Sequence, residues 1–161
     1  MEKERSSLIQ KPSFPVAVVM QRRAAQSRWA DFIWEPQGVV PDPGGNARLL
    51  REDGANLQWL HPGFKLVLHR DEHDGYHFNV SSQSPRVFIL WRVDDDRGVP
   101  VEVTVSSEEA GRWMDGGHSV DGVAMPAEIF AWLGDYVEKN YRPQPEQRIK
   151  PRSFVHPKDR A

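Results

Sequence analysis

The sequence contains no cysteine among its 161 residues. This absence excludes disulfides, thiolate zinc sites, iron–sulfur ligation and cysteine nucleophiles together, leaving His, Asp and Glu as metal ligands. The chain also lacks any apolar run close to the roughly 18 residues that a membrane span requires. Its polar opening, MEKERSSLIQKP, has no apolar core of the kind that a signal peptide carries. We therefore expect a cytoplasmic protein with no membrane partner.

Composition and charge divide the chain into three parts. Hydrophobic residues make up 39% and charged residues 27%, which is typical of a globular domain. Residues 142–161 hold six Lys or Arg, two acidic residues and four prolines, and such prolines favour an extended segment. We predict a flexible N-terminus over 1–13, one β-rich domain over 14–141 and a basic tail over 142–161. Nucleic-acid binding by the tail is not expected, because no stacked aromatic platform accompanies it.

Several segments have the pattern of β-strands. Residues 14–20 are apolar on both faces, which predicts a buried strand, and the next strand should bend or bulge at Pro36 and Gly38. Residues 47–51 and 56–60 flank a short loop with a glycine, which indicates a hairpin. Residues 86–93 are almost entirely apolar, which predicts a central strand.

Two later segments have helical signals. Ser106 followed by Glu109 matches a capping box, and Gly116-Gly117 would end that short helix. Pro126 suits the start of an amphipathic helix that runs to residue 141 and buries Trp132. The sequence thus predicts an α+β fold: a mainly antiparallel β sandwich or partly open barrel of about eight strands, capped by the C-terminal amphipathic helix.

The stretch HRDEHDGYH places three histidines, His69, His73 and His77, at intervals of four. Apolar residues alternate with polar ones over 64–68 and again over 76–80, which predicts two strands joined by a hairpin loop. His69 and His77 would then point outward on neighbouring strands, with His73 at the tip of the loop.

Two interpretations of these histidines stay open. They could form a surface metal site with Asp71 or Asp74 as an oxygen ligand. Alternatively, the polar residues gather there because hairpin loops are solvated. We predict the solvated loop without a stoichiometric metal, and we expect no cofactor.

Candidate partner-binding residues are Arg22, Arg23 and Arg28 with the adjacent Trp29, and also Trp113. Arginine offers a planar fork for carboxylates and stacks on aromatic faces. The alternative is that these arginines pack on tryptophan at a strand end. Trp113 precedes Gly116-Gly117 on the short helix, where exposure is expected.

A catalytic constellation is not apparent in the sequence. His118 and Ser119 are the only local pair of base and nucleophile, and adjacent residues rarely point the same way. We therefore predict no catalytic residue.

Three segments together resemble a known family. FPVAVVMQRR, RWADFIWEPQGVVP and VDGVAMPAEIFAWLGDYVEKNYRP are similar to the bacterial domain of unknown function 3305 over nearly the whole predicted domain. The resemblance implies a link to molybdenum-containing formate dehydrogenases, near whose genes the family is often encoded. Some members carry the label of a molybdopterin-guanine dinucleotide biosynthesis protein. Such nucleotidyltransferases open with a Gly-rich loop after the first strand, whereas here Gln21-Arg22-Arg23 follows it and Gly44-Gly45 is the nearest glycine pair.

The expected function follows from the resemblance and from the missing catalytic pattern. It is a non-catalytic accessory protein that binds formate dehydrogenase or its maturation machinery. Two alternatives stay open: an enzyme of molybdenum cofactor maturation with a site assembled from distant residues, and a nucleic-acid-binding regulator that acts through the basic tail.

Overall fold

Seven strands and three α-helices make up the part of the chain that the computed structural model describes, which is residues 11–26, 28 and 31–141. The strands are β1 (Ser13–Ala24), β2 (Phe32–Pro41), β3 (Arg48–Asp53), β4 (Asn56–Val67), β5 (Arg86–Asp94), β6 (Arg97–Thr104) and β7 (Ser119–Ala124). The helices are α1 (His73–Val80), α2 (Ser107–Asp115) and α3 (Ala127–Asn140), and a 3-10 turn, Arg70–Glu72, precedes α1.

Sheet A is antiparallel and has the strand order β2-β1-β4-β3. Its central strand β1 is buried from Val16 to Met20, as its apolar sequence predicts. The predicted bulge in β2 is confirmed. Val19 pairs with Gly38 and Met20 with Pro36, so one residue of β2 is left without a partner on β1.

The predicted hairpin of β3 and β4 is confirmed, and Gly54 in its turn has a φ of 63°, a backbone region that glycine adopts at little cost. β4 then continues as one strand to Val67. Its pairing with β1 shifts between His61 and Phe64, where Gly63 has a φ of 95°. The alternation predicted over 64–68 thus belongs to the same strand as residues 56–60.

Sheet B is antiparallel, with the order β6-β5-β7. The prediction that residues 86–93 form a central strand is confirmed, since β5 pairs with both neighbours. The sequence did not indicate β7. Only Val123 is buried in this strand, and Asp121 and Gly122 interrupt its apolar pattern.

The main core lies between the two sheets and beneath α3. It joins Val18 and Met20 of sheet A to Val87 and Ile89 of sheet B. α3 adds Ile129 and Leu133 to the same cluster, both fully buried. The predicted class is confirmed: the fold is α+β with two antiparallel sheets, no closed barrel and a C-terminal helix, with seven strands described where about eight were expected.

The predicted hairpin across HRDEHDGYH is wrong, because residues 76–80 are helical in α1. Tyr76 and Asn79 are buried, whereas Phe78 is 61% exposed. Burial three residues apart is the spacing of a helix, and short apolar runs do not separate helix from strand by pattern alone. His73 is therefore the first residue of a helix instead of the tip of a loop.

The capping predictions are confirmed in α2, where the Ser106 side chain accepts a hydrogen bond from the backbone N–H of Glu109. α3 follows Pro126 as expected. Trp132 is half-buried where full burial was predicted, because its ring packs edge-on against Phe14 at 5.4 Å between centroids on the rim of the core. Among the described residues, no helix has the length and apolarity to cross a membrane.

Candidate binding groove on sheet A

The two faces of sheet A differ because side chains alternate along each strand. Val16, Val18 and Met20 of β1 belong to the main core, whereas Ala17 and Val19 point away from sheet B. We call the side that carries Ala17 and Val19 the outer face of sheet A. With Leu60 of β4 they form a separate buried cluster, which is the floor of this face.

Beyond that floor the outer face becomes polar. Gln21 of β1 pairs with Gln58 of β4, and Gln58 pairs with Arg51 of β3. One step further along the strands, Asp53 pairs with Asn56 at the end of the β3–β4 hairpin. Pairing thus places amide and charged side chains in rows across three adjacent strands.

These rows enclose a concavity of about 310 Å³ on the sheet surface. We call it the polar groove, and its lining residues are Gln21, Arg23, Arg51, Asp53, Asn56 and Gln58. All six side chains are polar, so the groove offers hydrogen bonds and charge instead of an apolar cavity.

Only one end of the polar groove is occupied by internal contacts. Glu35 of β2 accepts hydrogen bonds from Arg23 Nε at 2.7 Å and from Gln21 Nε2 at 3.4 Å. Within the described part of the chain, the side chains of the other four lining residues make no hydrogen bond or ion pair. They are Arg51, Asp53, Asn56 and Gln58.

Chemically, the groove is suited to a polar, extended ligand. A guanidinium group donates two parallel hydrogen bonds to a carboxylate, and a side-chain amide both donates and accepts. A peptide backbone needs both kinds of partner. The six lining side chains are amides, guanidinium groups and one carboxylate, which bind a ligand through hydrogen bonds and charge.

The arginines that the sequence singled out do not form one cluster. Arg22 and Arg23 lie on opposite faces of β1, since neighbouring strand residues alternate. The guanidinium of Arg22 lies 4.1 Å from the ring centroid of Phe32, and its Nε donates to the Ala55 carbonyl. Arg23 lines the groove. Arg28 is exposed, and Trp29 lies outside the described residues.

The expected exposure of Trp113 is wrong in degree, because the residue is half-buried on α2, while its neighbour Met114 is 50% exposed. Ala110, three residues earlier on the same helix, is fully buried, so Trp113 lies on the side of α2 that faces the fold. Trp113 lies on α2, which packs against sheet B, whereas Arg22 and Arg23 lie on sheet A.

The three histidines have separate partners in and around α1. His69 Nδ1 lies 2.9 Å from Lys11 Nζ, and His73 Nε2 lies 3.0 Å from the hydroxyl of Tyr136 on α3. His77 stacks on the ring of Tyr141 at 4.2 Å between centroids. Within the described residues, no group of three His, Asp or Glu side chains is close enough to hold a metal ion.

A cluster that the sequence did not reveal lies where α1 meets α2. Glu72 is 7% exposed, and its carboxylate accepts a hydrogen bond from Ser106 Oγ at 2.5 Å. Its other oxygen is paired with Arg112, and this hydrogen bond raises the pKa of Arg112. A Cβ on Gly75 would lie 2.1 Å from Ser106 Oγ. We call these four residues the helical junction.

Two further groups near α1 and sheet A have shifted pKa values. Burial raises the pKa of Tyr76, whose hydroxyl accepts a hydrogen bond from the His69 backbone N–H at 2.7 Å. Burial, with a smaller contribution from the charge of Arg97, lowers the pKa of His61 on β4. Both shifts follow from packing, and neither residue lines the polar groove.

The sequence missed most of the groove because its residues come from three strands. Gln21 and Arg23 on β1 show a signal, since the buried strand turns polar while remaining extended. Arg51 and Asp53 alternate with exposed neighbours on an edge strand, which is also the pattern of ordinary solvated residues. Only the strand order brings the two pairs to one face.

Comparison with known proteins identifies the family to which the chain belongs. The model of a family described as protein of unknown function, DUF3305, matches residues 15–150. The chain belongs to this family. Comparisons with curated proteins and with solved structures give no match. The family match covers every residue of the polar groove and extends into the basic segment after α3.

Proposed function

We propose that the chain is a non-catalytic accessory protein that binds a protein partner through the polar groove. The observation that carries the proposal is the set of four polar side chains, Arg51, Asp53, Asn56 and Gln58, which make no internal hydrogen bond or ion pair within the described residues. The buried polar side chains of Glu72 and Ser106, in contrast, are bonded to each other within the fold. Because these four side chains stand on ordered strands and have no internal contact to break, they are available to an external partner.

The partner that we propose is a molybdenum-containing formate dehydrogenase or one of its maturation factors, in the cytoplasm. The resemblance to family 3305 motivates this choice, because it implies a genomic link to such dehydrogenases. The role would be assembly or regulation. Since an accessory role requires binding and no chemical step, it agrees with a groove that offers hydrogen bonds but no activated nucleophile.

Affinity purification from the native host tests the proposal. The tagged wild-type protein should recover a formate dehydrogenase component or a maturation factor, and Arg51→Glu should reduce its yield several-fold because a reversed charge repels what the arginine attracted. Arg92→Glu is the matched control, because Arg92 is an exposed strand arginine on sheet B. Recovery of the same component by all three proteins would remove the groove from the proposal.

Gene deletion provides the functional readout. We expect formate dehydrogenase activity to fall while other molybdoenzymes keep theirs. Loss of the guanine-dinucleotide cofactor throughout the deletion strain would instead support a maturation enzyme. Nucleic-acid binding that weakens steeply with salt would support a regulator acting through residues 142–161.

A further inference from the structure

We infer that the polar groove recognises an extended peptide segment that places an acidic side chain against Arg51. The inference rests on the proposed function, because it specifies the chemistry of the partner segment that the groove would hold. Three observations support it: the free guanidinium of Arg51, the amides beside it, and the closed floor beneath them.

Arg51 is the free cation of the groove. The Arg23 guanidinium already uses its Nε to bind Glu35, so part of its charge is neutralised within the sheet. Arg51 lies on the edge strand, and no side chain among the described residues bonds to it. All N–H groups of its guanidinium are therefore available to a ligand. A carboxylate is the group that such a fork binds with two parallel hydrogen bonds.

The neighbouring side chains match a peptide backbone. Gln58 is the strand partner of Arg51, and Asn56 is the partner of Asp53. Each amide presents a carbonyl oxygen and an N–H group, which can pair with the N–H and C=O groups of an extended chain. Neighbouring strands lie about 4.8 Å apart, so the Gln58 side chain stands directly beside a ligand held at Arg51.

Charge argues for a peptide carboxylate over a phosphate group. Asp53 stands two residues from Arg51 on the same face of β3, and Glu35 closes the other end of the groove. Two carboxylates at the rim repel a doubly charged phosphate more strongly than they repel the single negative charge of a peptide carboxylate. Asp53 also accepts a backbone N–H or a basic side chain of the same peptide.

The ligand crosses the face of the sheet instead of extending its edge. β3 has charged residues at four of its six positions, and its pairing with β4 shifts between Leu49 and Arg51. Charges and bulges are features that protect an edge from pairing with another strand. Because Val19 and Leu60 are already buried beneath the outer face, the groove offers little apolar area to a small molecule.

An array of random octapeptides, probed with the full-length protein, tests the inference. The wild-type protein should select peptides enriched in Asp or Glu. Arg51→Glu should lose these peptides and select peptides enriched in Lys or Arg, because the reversed charge now prefers a cation. Arg92→Glu should select the same acidic peptides as the wild type. Thermal unfolding checks that each variant is folded.

The affinity of the best acidic peptide measures how much Arg51 contributes to binding. Its Kd should rise about 10-fold to 100-fold with Arg51→Ala, as expected for loss of a charge-assisted hydrogen bond. Replacing the peptide's key Glu by Gln should raise the Kd of the wild-type protein by a similar factor. Adding the peptide change to Arg51→Ala should then cost little more, because the two changes remove one contact.

Several results would overturn the inference. The first is that the wild-type protein selects peptides without enrichment in Asp or Glu, or selects none at all. The second is that Arg51→Glu still selects acidic peptides. The third is a preference for phosphorylated peptides over peptides with carboxylate side chains. The proposed function fails separately. If acidic peptides bind at Arg51 but no dehydrogenase component is recovered from cells, the groove's chemistry stands and the proposed partner is wrong.

Discussion

The polar groove and the helical junction contain the same kinds of side chain in opposite situations. At the junction, Glu72 is buried and binds both Ser106 and Arg112. In the groove, Arg51 and Gln58 lie on a regular sheet and bind nothing within the described residues. Charge and hydrogen-bonding capacity are present in both regions, but four of the six groove residues are left without an internal contact among the described residues.

This difference separates residues that hold the fold from residues that remain available to a partner. A buried carboxylate must find donors, because leaving it unpaired in the interior costs several kcal/mol. Exposed strand residues carry no such requirement, since water satisfies them. Substitutions at the junction should therefore lower stability, and substitutions in the groove should leave stability unchanged while they alter binding.

The largest effect is expected from Gly75→Ala. A methyl group at Gly75 would lie 2.1 Å from Ser106 Oγ and 3.1 Å from the Glu108 backbone nitrogen, so α1 and α2 must move apart. We expect a loss of about 3 kcal/mol in the free energy of unfolding, at the upper end of overpacking costs. The melting temperature should fall by about 6–12 °C for a chain of this size.

Gly134→Ala is the matched control for this prediction. Gly134 lies within α3, and no atom would come within 4 Å of a Cβ added there. Because alanine favours helix over glycine, this variant should be more stable by about 0.5–1 kcal/mol. Equal effects of the two substitutions would show that the α1–α2 contact is not tight.

The second largest effect is expected from Ser106→Ala. This change removes the side-chain cap of α2 and also the hydrogen bond to Glu72. Loss of a cap costs about 1 kcal/mol, and a buried acceptor left without its donor adds about 1–3 kcal/mol. Because Arg112 still pairs with the Glu72 carboxylate, we expect the lower part of the summed range, a decrease of about 2–3 kcal/mol in urea unfolding. Ser119→Ala, at the exposed start of β7, should change stability little, and an equal decrease there would contradict the prediction.

Sequence patterns predicted most of the strands and the caps, but neither β7 nor the junction. The capping box at Ser106 and the apolar run of β5 are local signals, and both were confirmed. The helical state of residues 76–80 depends on contacts with α2 and α3, which are distant in sequence. Tertiary packing of Tyr76 overrides the strand-like alternation of this segment.

The groove was only partly predictable for a related reason. Of the residues named from the sequence, Arg23 lines the groove. It could be named because a strand that ends in charged residues is a visible local pattern. Arg51 and Gln58 required knowledge of the strand order β2-β1-β4-β3. Strand order is set by long-range pairing and closure of the core, which a single sequence does not display.

A smaller effect is expected from pH, through His61 on β4, one of the three strands that carry the groove. Burial and the charge of Arg97 lower the pKa of His61 in the folded protein. The unfolded chain then binds a proton more readily, so this contribution to stability is complete above the unfolded pKa of about 6.5 and declines as pH falls below it. The loss should be below about 1 kcal/mol, because the ring is only half-buried.

His61→Gln checks the pH prediction. Unfolding free energies of wild type and variant, measured from pH 8 to pH 5, should converge at acidic pH, because the variant lacks the titrating ring. His118→Gln removes an exposed histidine and should follow the wild-type curve. If the wild type and His61→Gln lose stability in parallel as pH falls, groups other than His61 control the loss of stability at acidic pH.

The smallest effect on stability is expected from Arg51→Ala, and this variant gives the sharpest contrast between the two regions. Arg51 bonds to no described side chain, whereas Arg112 pairs with the buried Glu72. Arg51→Ala should therefore unfold within about 0.5 kcal/mol of the wild type, as exposed substitutions usually do. Arg112→Ala should be clearly less stable, because it leaves a buried carboxylate without its cation. Binding should show the reverse order, with the acidic peptide bound about 10-fold to 100-fold more weakly by Arg51→Ala and with unchanged affinity by folded Arg112→Ala. Thermal unfolding and peptide titration of both variants decide the matter. If Arg51→Ala is as unstable as Arg112→Ala, the groove arginine supports the fold, and the division between the two regions fails.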